Sequence, residues 1–104
     1  MQLFSIYSFY YLSLKMEKFV VFGEYCEDAI IKRAPFREQH LKRLKNLKDR
    51  DILITLGPTK CNKYLFGIFN AIDETQLKEI IEGDIYWKEG IWVKYDIYPW
   101  IQAF

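Results

Sequence analysis

Three short apolar runs and one alternating run are spaced along the chain around two stretches of helical periodicity. Phe19-Val-Val-Phe22 with Tyr25 is a near-continuous apolar run of strand length, the pattern of a strand buried on both faces. Pro35 suits the first turn of a helix, and the segment that follows is helical to about Asp49. Ile52-Leu-Ile-Thr-Leu56 reads as a second strand, stopped by Gly57-Pro58. Tyr64-Leu-Phe-Gly-Ile-Phe69 is a third, again apolar on both faces, with Gly67 weakening it. Asp73 has the character of an N-cap with Gln76 three residues on. It opens a short helix, Glu74–Glu82, that Gly83 ends as a C-cap residue. Val93, Tyr95 and Ile97 alternate with Lys94 and Asp96, which predicts a final strand with one wetter face.

The order β-α-β-β-α-β is that of a ferredoxin-like α+β unit. Right-handed strand–helix–strand connections place strands one and three in the centre of the sheet, in agreement with their two-sided hydrophobicity. Two helices cover only one face of four strands. The other face needs a cover, and a second copy of the chain is the economical one.

The first helix carries the only histidine of the chain, His40. Counting 100° per residue from Phe36, Leu47 falls at about 20°, His40 at about 40°, Leu44 at about 80°, Arg37 at about 100° and Leu41 at about 140°. His40 therefore lies inside the apolar arc with Arg37 flanking it, while Glu38, Gln39, Lys42, Lys45, Asn46 and Asp49 occupy the other side. A polar ring facing a core needs a partner. Histidine is also the side chain that exchanges protons near neutral pH.

Length and composition bound the rest. A chain of 104 residues with 51% hydrophobic and 28% charged residues is one globular domain. It is small enough that association would supply burial a single core lacks. The net charge of +1 makes no case for a polyanionic partner. Lys42, Arg43, Lys45, Lys48 and Arg50 fall at about 240°, 340°, 180°, 120° and 320° around the helix, so they form no stripe and read as a solvated surface rather than a nucleic-acid face. Cys26 and Cys61 form no CxxC pair, and with one histidine in the chain neither a zinc site nor another metal centre is expected. Two separated thiols of this kind are expected to stay reduced.

Residues 1–15 (MQLFSIYSFYYLSLK) differ in composition from the rest. No positive residue precedes Lys15 and no small-residue cleavage site follows, unlike a secretory signal. The serine-interrupted run is short for a bilayer span. We read it as an extension, disordered or arising from an upstream start, with an aromatic membrane-surface or interface segment as the alternative. Residues 16–104 form the domain. A cytoplasmic location without stable membrane insertion is expected.

Arg37-x-x-His40-Leu41-x-x-Leu44 resembles the R-x-x-H-L motif of the YciI-like (YCII-related) proteins, and Asp84-x-Tyr86 with Gly90 resembles their D-P-[FY]-x-x-x-G motif. Lys32-Arg33, Gly57-Pro58 and Tyr98-Pro99-Trp100 match further family positions in the same order. The resemblance covers roughly residues 16 to 100. It implies a dimeric α+β barrel and a cofactor-free site in which Asp84 holds one ring N–H of His40 and the other ring nitrogen moves a substrate proton. By the same resemblance His40 and Asp84 are the catalytic pair and Arg37 binds an anionic substrate group. The implied chemistry is of isomerase or lyase type on a small cyclic or aromatic-derived acid. Ile85 stands where the family has proline, which would stiffen the turn after the aspartate.

Each of these residues also has a plainer reading. His40 can be a buried histidine bonded for structure alone, Asp84 a solvated residue past a helix end, and Arg37 one half of a salt bridge to Asp84 or Glu24. Trp87, close to Asp84 in sequence, is a candidate pocket wall. The two functional classes that remain are an acid/base enzyme and a non-catalytic dimeric module that binds a small molecule or a partner. A buried His40 with no adjoining cavity would favour the second.

Overall fold

A computed structural model describes residues 16–104 of the chain; the expectation about residues 1–15 lies outside them. Four strands form one antiparallel sheet: β1 (Glu17–Tyr25), β2 (Leu53–Pro58), β3 (Tyr64–Ala71) and β4 (Trp92–Trp100), in the order β2-β3-β1-β4. The central positions of β1 and β3 follow from the right-handed connections, as the apolar runs indicated. β2 continues through Gly57 and Pro58, which pair with Phe66 and Leu65. It is an edge strand, where a missing N–H removes no ladder bond on the open side.

The connection after β1 is not one helix. It consists of α1 (Ala29–Arg33), a 3-10 turn (Ala34–Phe36) and α2 (Arg37–Asp49). Pro35 cannot donate to the i−4 carbonyl and its ring crowds that turn, so α1 ends and α2 starts again after the 3-10 turn. The second connection holds α3 (Glu74–Glu82), capped by Asp73 through Gln76 N–H as its sequence indicated. One further turn follows, α4 (Ile85–Lys88), too short to show a period. Gly83 ends α3 with φ −77°, a right-handed conformation, so left-handed capping is not its role.

The helices cover one sheet face. Phe19 and Val21 of β1, Leu65, Phe69 and Ala71 of β3, Leu47 of α2 and Leu77 and Ile81 of α3 build the core there. The opposite face stays open in a single copy. Phe22 is 51% exposed and Tyr98 54%, and with Val20, Phe66 and Trp100 they line a shallow depression of about 320 Å³. The apolar character of β1 and β3 on both faces is thus satisfied on one face only. No helix among the described residues is long and apolar enough to cross a membrane.

Candidate functional site

His40 lies one turn into α2 with its ring 5% exposed. Its Nδ1 is 2.7 Å from Asp84 Oδ1, across 44 positions of sequence. The carboxylate is an acceptor, so Nδ1 carries the proton. Nε2 has no partner among the described residues, yet it is not sealed: Trp92 Nε1 is the only unpartnered side-chain polar atom buried from solvent among them. The histidine thus presents a lone pair to solvent while its other nitrogen is anchored. Tyr86 stacks on the ring at a centroid distance of 3.6 Å and 9° between planes. Trp92 meets it edge-on at 5.3 Å.

Asp84 is fully buried rather than solvated, and a buried carboxylate demands several donors. It has them. As the N-cap of α4 it accepts Tyr86 N–H at 2.9 Å through Oδ1, the same oxygen that holds His40. Oδ2 accepts from Arg43 Nη1 at 3.2 Å. Ile85, in place of the family's proline, occupies the first helical position, where the N–H has no helical partner in any case. The cap, not the ring of a proline, sets the direction of Asp84 here.

Arg43 is the residue that sequence reasoning assigned to the solvated face, and this is corrected by its contacts. At i+3 from His40 it emerges from the same side of α2. It donates to Ile80 C=O at 2.8 Å as well as to Asp84, tying α2 to α3 and α4. A Cβ at Gly83 would lie 2.9 Å from Arg43 Nη2 and 3.0 Å from Glu79 O, so this glycine gives the guanidinium its passage. Arg37, expected beside the pair, is exposed and makes no ion pair or hydrogen bond with His40 or Asp84. Glu24, its other candidate partner, pairs with Lys94 at 3.5 Å. Arg37 does favour the ionised form of the Tyr86 hydroxyl through its charge.

Trp92 reaches His40 because of an irregularity. In β4, Tyr98 lies on the open face with Val20, and strict alternation would place Trp92 on that face too. The β1–β4 register shifts between Glu24 and Tyr25, so Glu24 faces Lys94 and Tyr25 faces Trp92. The bulge turns Trp92 to the helix side, where it is 4% exposed. Trp87, the tryptophan expected to wall a pocket, packs against Tyr95 instead, at 5.2 Å. Tyr25, Trp92's cross-strand neighbour, lies under Arg33, whose Cζ is 5.8 Å from the ring centroid. Burial pushes the Tyr25 hydroxyl above its usual range against the pull of Trp92 and Arg33, and burial likewise raises that of Tyr86.

Tyr25 also lines a cavity of about 710 Å³ between the end of β1, α1 and the β2–β3 loop, with Cys26 and Cys61 on its wall. His40 and Asp84 are not part of that wall. Both cysteines are free thiols, and no group of three or more His, Cys, Asp or Glu among the described residues is placed to hold a metal ion.

No curated protein matches the chain. Among solved structures, 5-chloro-2-hydroxyhydroquinone dehydrochlorinase from Burkholderia phenoliruptrix, in complex with 2,5-dihydroxybenzoquinone, is similar to it. The TM-score is 0.71 at 19% identity, covering 83% of this chain and 95% of that one. That likeness establishes the fold. The profile of the YCII-related domain matches residues 17–101, a span that holds every residue of the His40–Asp84 cluster, and the chain belongs to the YCII-related domain family.

Proposed function

We propose that the chain is a cytoplasmic, cofactor-free enzyme of isomerase or lyase type that moves a proton on a small cyclic or aromatic-derived acid. The observation that carries this reading is the state of His40: Nδ1–H fixed on a buried carboxylate at 2.7 Å, Nε2 unpartnered and open to solvent. In the reaction Nε2 takes a proton from a C–H or O–H of the ligand. The imidazolium formed is stabilised by the Asp84 carboxylate, which also accepts from Arg43 and Tyr86 N–H. Nε2 then returns the proton to a neighbouring atom or to a leaving group. His40 is the catalytic residue in this scheme and Asp84 positions it. Arg37 approaches an anionic group of the ligand from the open side. The dehydrochlorinase with the similar fold acts on a hydroxylated ring, which supports a ligand of that kind.

The acting unit is proposed to be a homodimer, with the open sheet faces of two copies packed together. The alternative is a ligand-binding module without catalysis, favoured by the cavity wall that includes Tyr25 but not His40. Hydrogen–deuterium exchange at ligand carbons, followed by NMR in D₂O over a set of lactones and hydroxylated aromatic acids, separates the two. Catalysis gives exchange with wild type and none with His40→Gln. Exchange with no compound in the set leaves the binding module as the reading.

A further inference from the structure

The chain has two cysteines, far apart in sequence, and the fold brings both to the wall of one cavity of about 710 Å³. Strand pairing explains the meeting. Tyr25 N–H donates to Lys63 C=O at 2.8 Å, where β1 and β3 run antiparallel. Cys26 follows Tyr25 by one residue and Cys61 precedes Lys63 by two, so both lie beyond that bond at the same end of the sheet. Extended chains at this stagger hold Cα atoms about 6 Å apart, within the span of a disulfide. Asn62, at φ 60°, takes the loop off the extended path, and both sulfurs are free thiols. Their surroundings differ. Cys26 is half-buried against the core, and its N–H is fixed on Ile91 C=O at 2.8 Å. Cys61 is exposed in the β2–β3 loop, with its Sγ 3.2 Å from Thr59 Oγ1. That hydroxyl accepts Tyr64 N–H at 3.3 Å and keeps one proton to give to a sulfur anion. The Thr59 hydrogen bond, then the Lys63 N–H, hold the Cys61 thiol below its ordinary 9.0, with a smaller pull from the Lys63 charge. The other charged groups on the cavity wall are Glu24, Glu27 and Asp28, of which Glu24 is paired with Lys94.

We propose that Cys61 and Cys26 form a peroxide-responsive thiol pair, in which Cys61 is the reacting sulfur and Cys26 resolves it into a disulfide across the cavity. An accessible sulfur supported as the thiolate, with a second thiol on the same cavity wall, is the arrangement that oxidant sensing needs. The Cys61 thiolate attacks one oxygen of a hydroperoxide. The O–O bond breaks, the sulfur keeps that oxygen as a sulfenic acid, and the other oxygen leaves as an alcohol or water once protonated. The Cys26 sulfur then attacks the Cys61 sulfur. The S–S bond forms while the hydroxyl leaves with the Cys26 proton as water. Two electrons have then passed from the two sulfurs to the peroxide. The movement falls on the exposed loop around Cys61, because Cys26 is anchored at the strand end. The bond ties that loop to the end of β1. The pair stands apart from His40, which is not on this wall, and does not depend on the proton-transfer reading.

The test uses the reduced full chain with hydrogen peroxide as the oxidant, and free thiols are counted by iodoacetamide labelling and mass spectrometry. Wild type should lose both thiols together, remain a single chain on a non-reducing gel, yield a Cys26–Cys61 cross-linked peptide and regain both thiols with dithiothreitol. Its urea midpoint should be higher after oxidation, because the cross-link restricts the unfolded chain. In Cys26→Ser, oxidation should stop at a sulfenic acid on Cys61 that dimedone traps. In Cys61→Ser, Cys26 should stay reduced at the same peroxide dose. Thr59→Val should slow the oxidation several-fold at about pH 7, and the two rates should converge above about pH 9, where the thiol is ionised in both proteins. Thr59→Ser, which keeps the hydroxyl, should restore the rate. The proposal is overturned by the absence of the cross-linked peptide, by oxidation of Cys26 at the wild-type rate in Cys61→Ser, or by a lower urea midpoint in the oxidised chain. An unchanged rate at about pH 7 in Thr59→Val removes Cys61 as the reacting sulfur and overturns it equally.

Discussion

Replacing Asp84 by asparagine tests how the site is held. The amide has one oxygen where the carboxylate has two. The oxygen keeps the Oδ1 place, because there it retains both the α4 cap and the His40 Nδ1–H bond, and asparagine caps a helix as well as aspartate does. The NH₂ group then faces Arg43 at the Oδ2 place, donor against donor. Three losses follow. The His40 bond falls from charge-assisted to neutral, about 1 kcal/mol. A buried amide N–H₂ is left without an acceptor, about 1–3 kcal/mol. The Arg43 pair, one partner of which is 32% exposed, counts for less than about 1 kcal/mol after screening by solvent. The sum is about 2–5 kcal/mol, and at roughly 4–8 °C per kcal/mol for a domain of this size Tm should fall by about 10 °C or more.

Urea unfolding of the single and double variants provides the assay. Arg43→Met removes the opposing donor, so Asp84→Asn should cost about 1–2 kcal/mol less in that background. Turnover should fall chiefly in kcat, because the imidazolium loses its counter-charge while the ligand contacts remain. A single-variant loss below about 0.5 kcal/mol, or strict additivity with Arg43→Met, would refute the three-donor account of Asp84.

Gly83→Ala should destabilise by about 1 kcal/mol, since its Cβ meets Arg43 Nη2 and Glu79 O at 2.9 and 3.0 Å; urea midpoints check this, and a neutral result would show that the guanidinium has another route. Phe22→Lys should convert a dimer to a folded monomer, because Phe22 contacts Phe66 and Tyr98 at the centre of the open sheet face. Light scattering gives the mass and circular dichroism the fold, and a wild type that is already monomeric at micromolar concentration sinks the packing proposal. The hydroxyls of Tyr25, Tyr86 and Tyr95 titrate above the ordinary 10.0 in the folded chain, each chiefly through burial and Tyr95 also through its bond to Glu82. The folded state then keeps protons that the unfolded chain has lost, so stability is intact below about pH 10 and declines as pH rises beyond it. Unfolding free energies from about pH 9 to 12 should fall less steeply in Tyr95→Phe than in wild type, and parallel curves would contradict the assignment.

The parts of this molecule that obey a period were legible in the sequence, and the parts of the site that break one were not. The strands announce themselves by two-sided or alternating burial, and β1 and β3 took the centre as handedness requires. The meeting of His40 with Asp84 could be anticipated because α2 turns His40 inward and the aspartate follows a helix that must lie on the same sheet face. Arg43 was misread although its angle, about 20° from Phe36 and 60° from His40, lies beside the apolar arc; the charge outweighed the position. The remaining features sit at irregularities: the Pro35 break that separates α1 from α2, the single turn of α4 that buries Asp84 as its cap, and the bulge that turns Trp92 toward the helices. None of these repeats, so no periodicity reports them. Each nevertheless brings a polar group to one place: Arg33 at the end of α1, Asp84 at the start of α4, Trp92 at the bulge. A fold selected for stability alone would smooth such departures or satisfy the donors they expose. Here they converge on His40, whose Nδ1 is anchored on buried Asp84 and whose Nε2 has no partner among the described residues, and irregularities that end on an anchored histidine are the physical reason for reading a site at this end of the sheet.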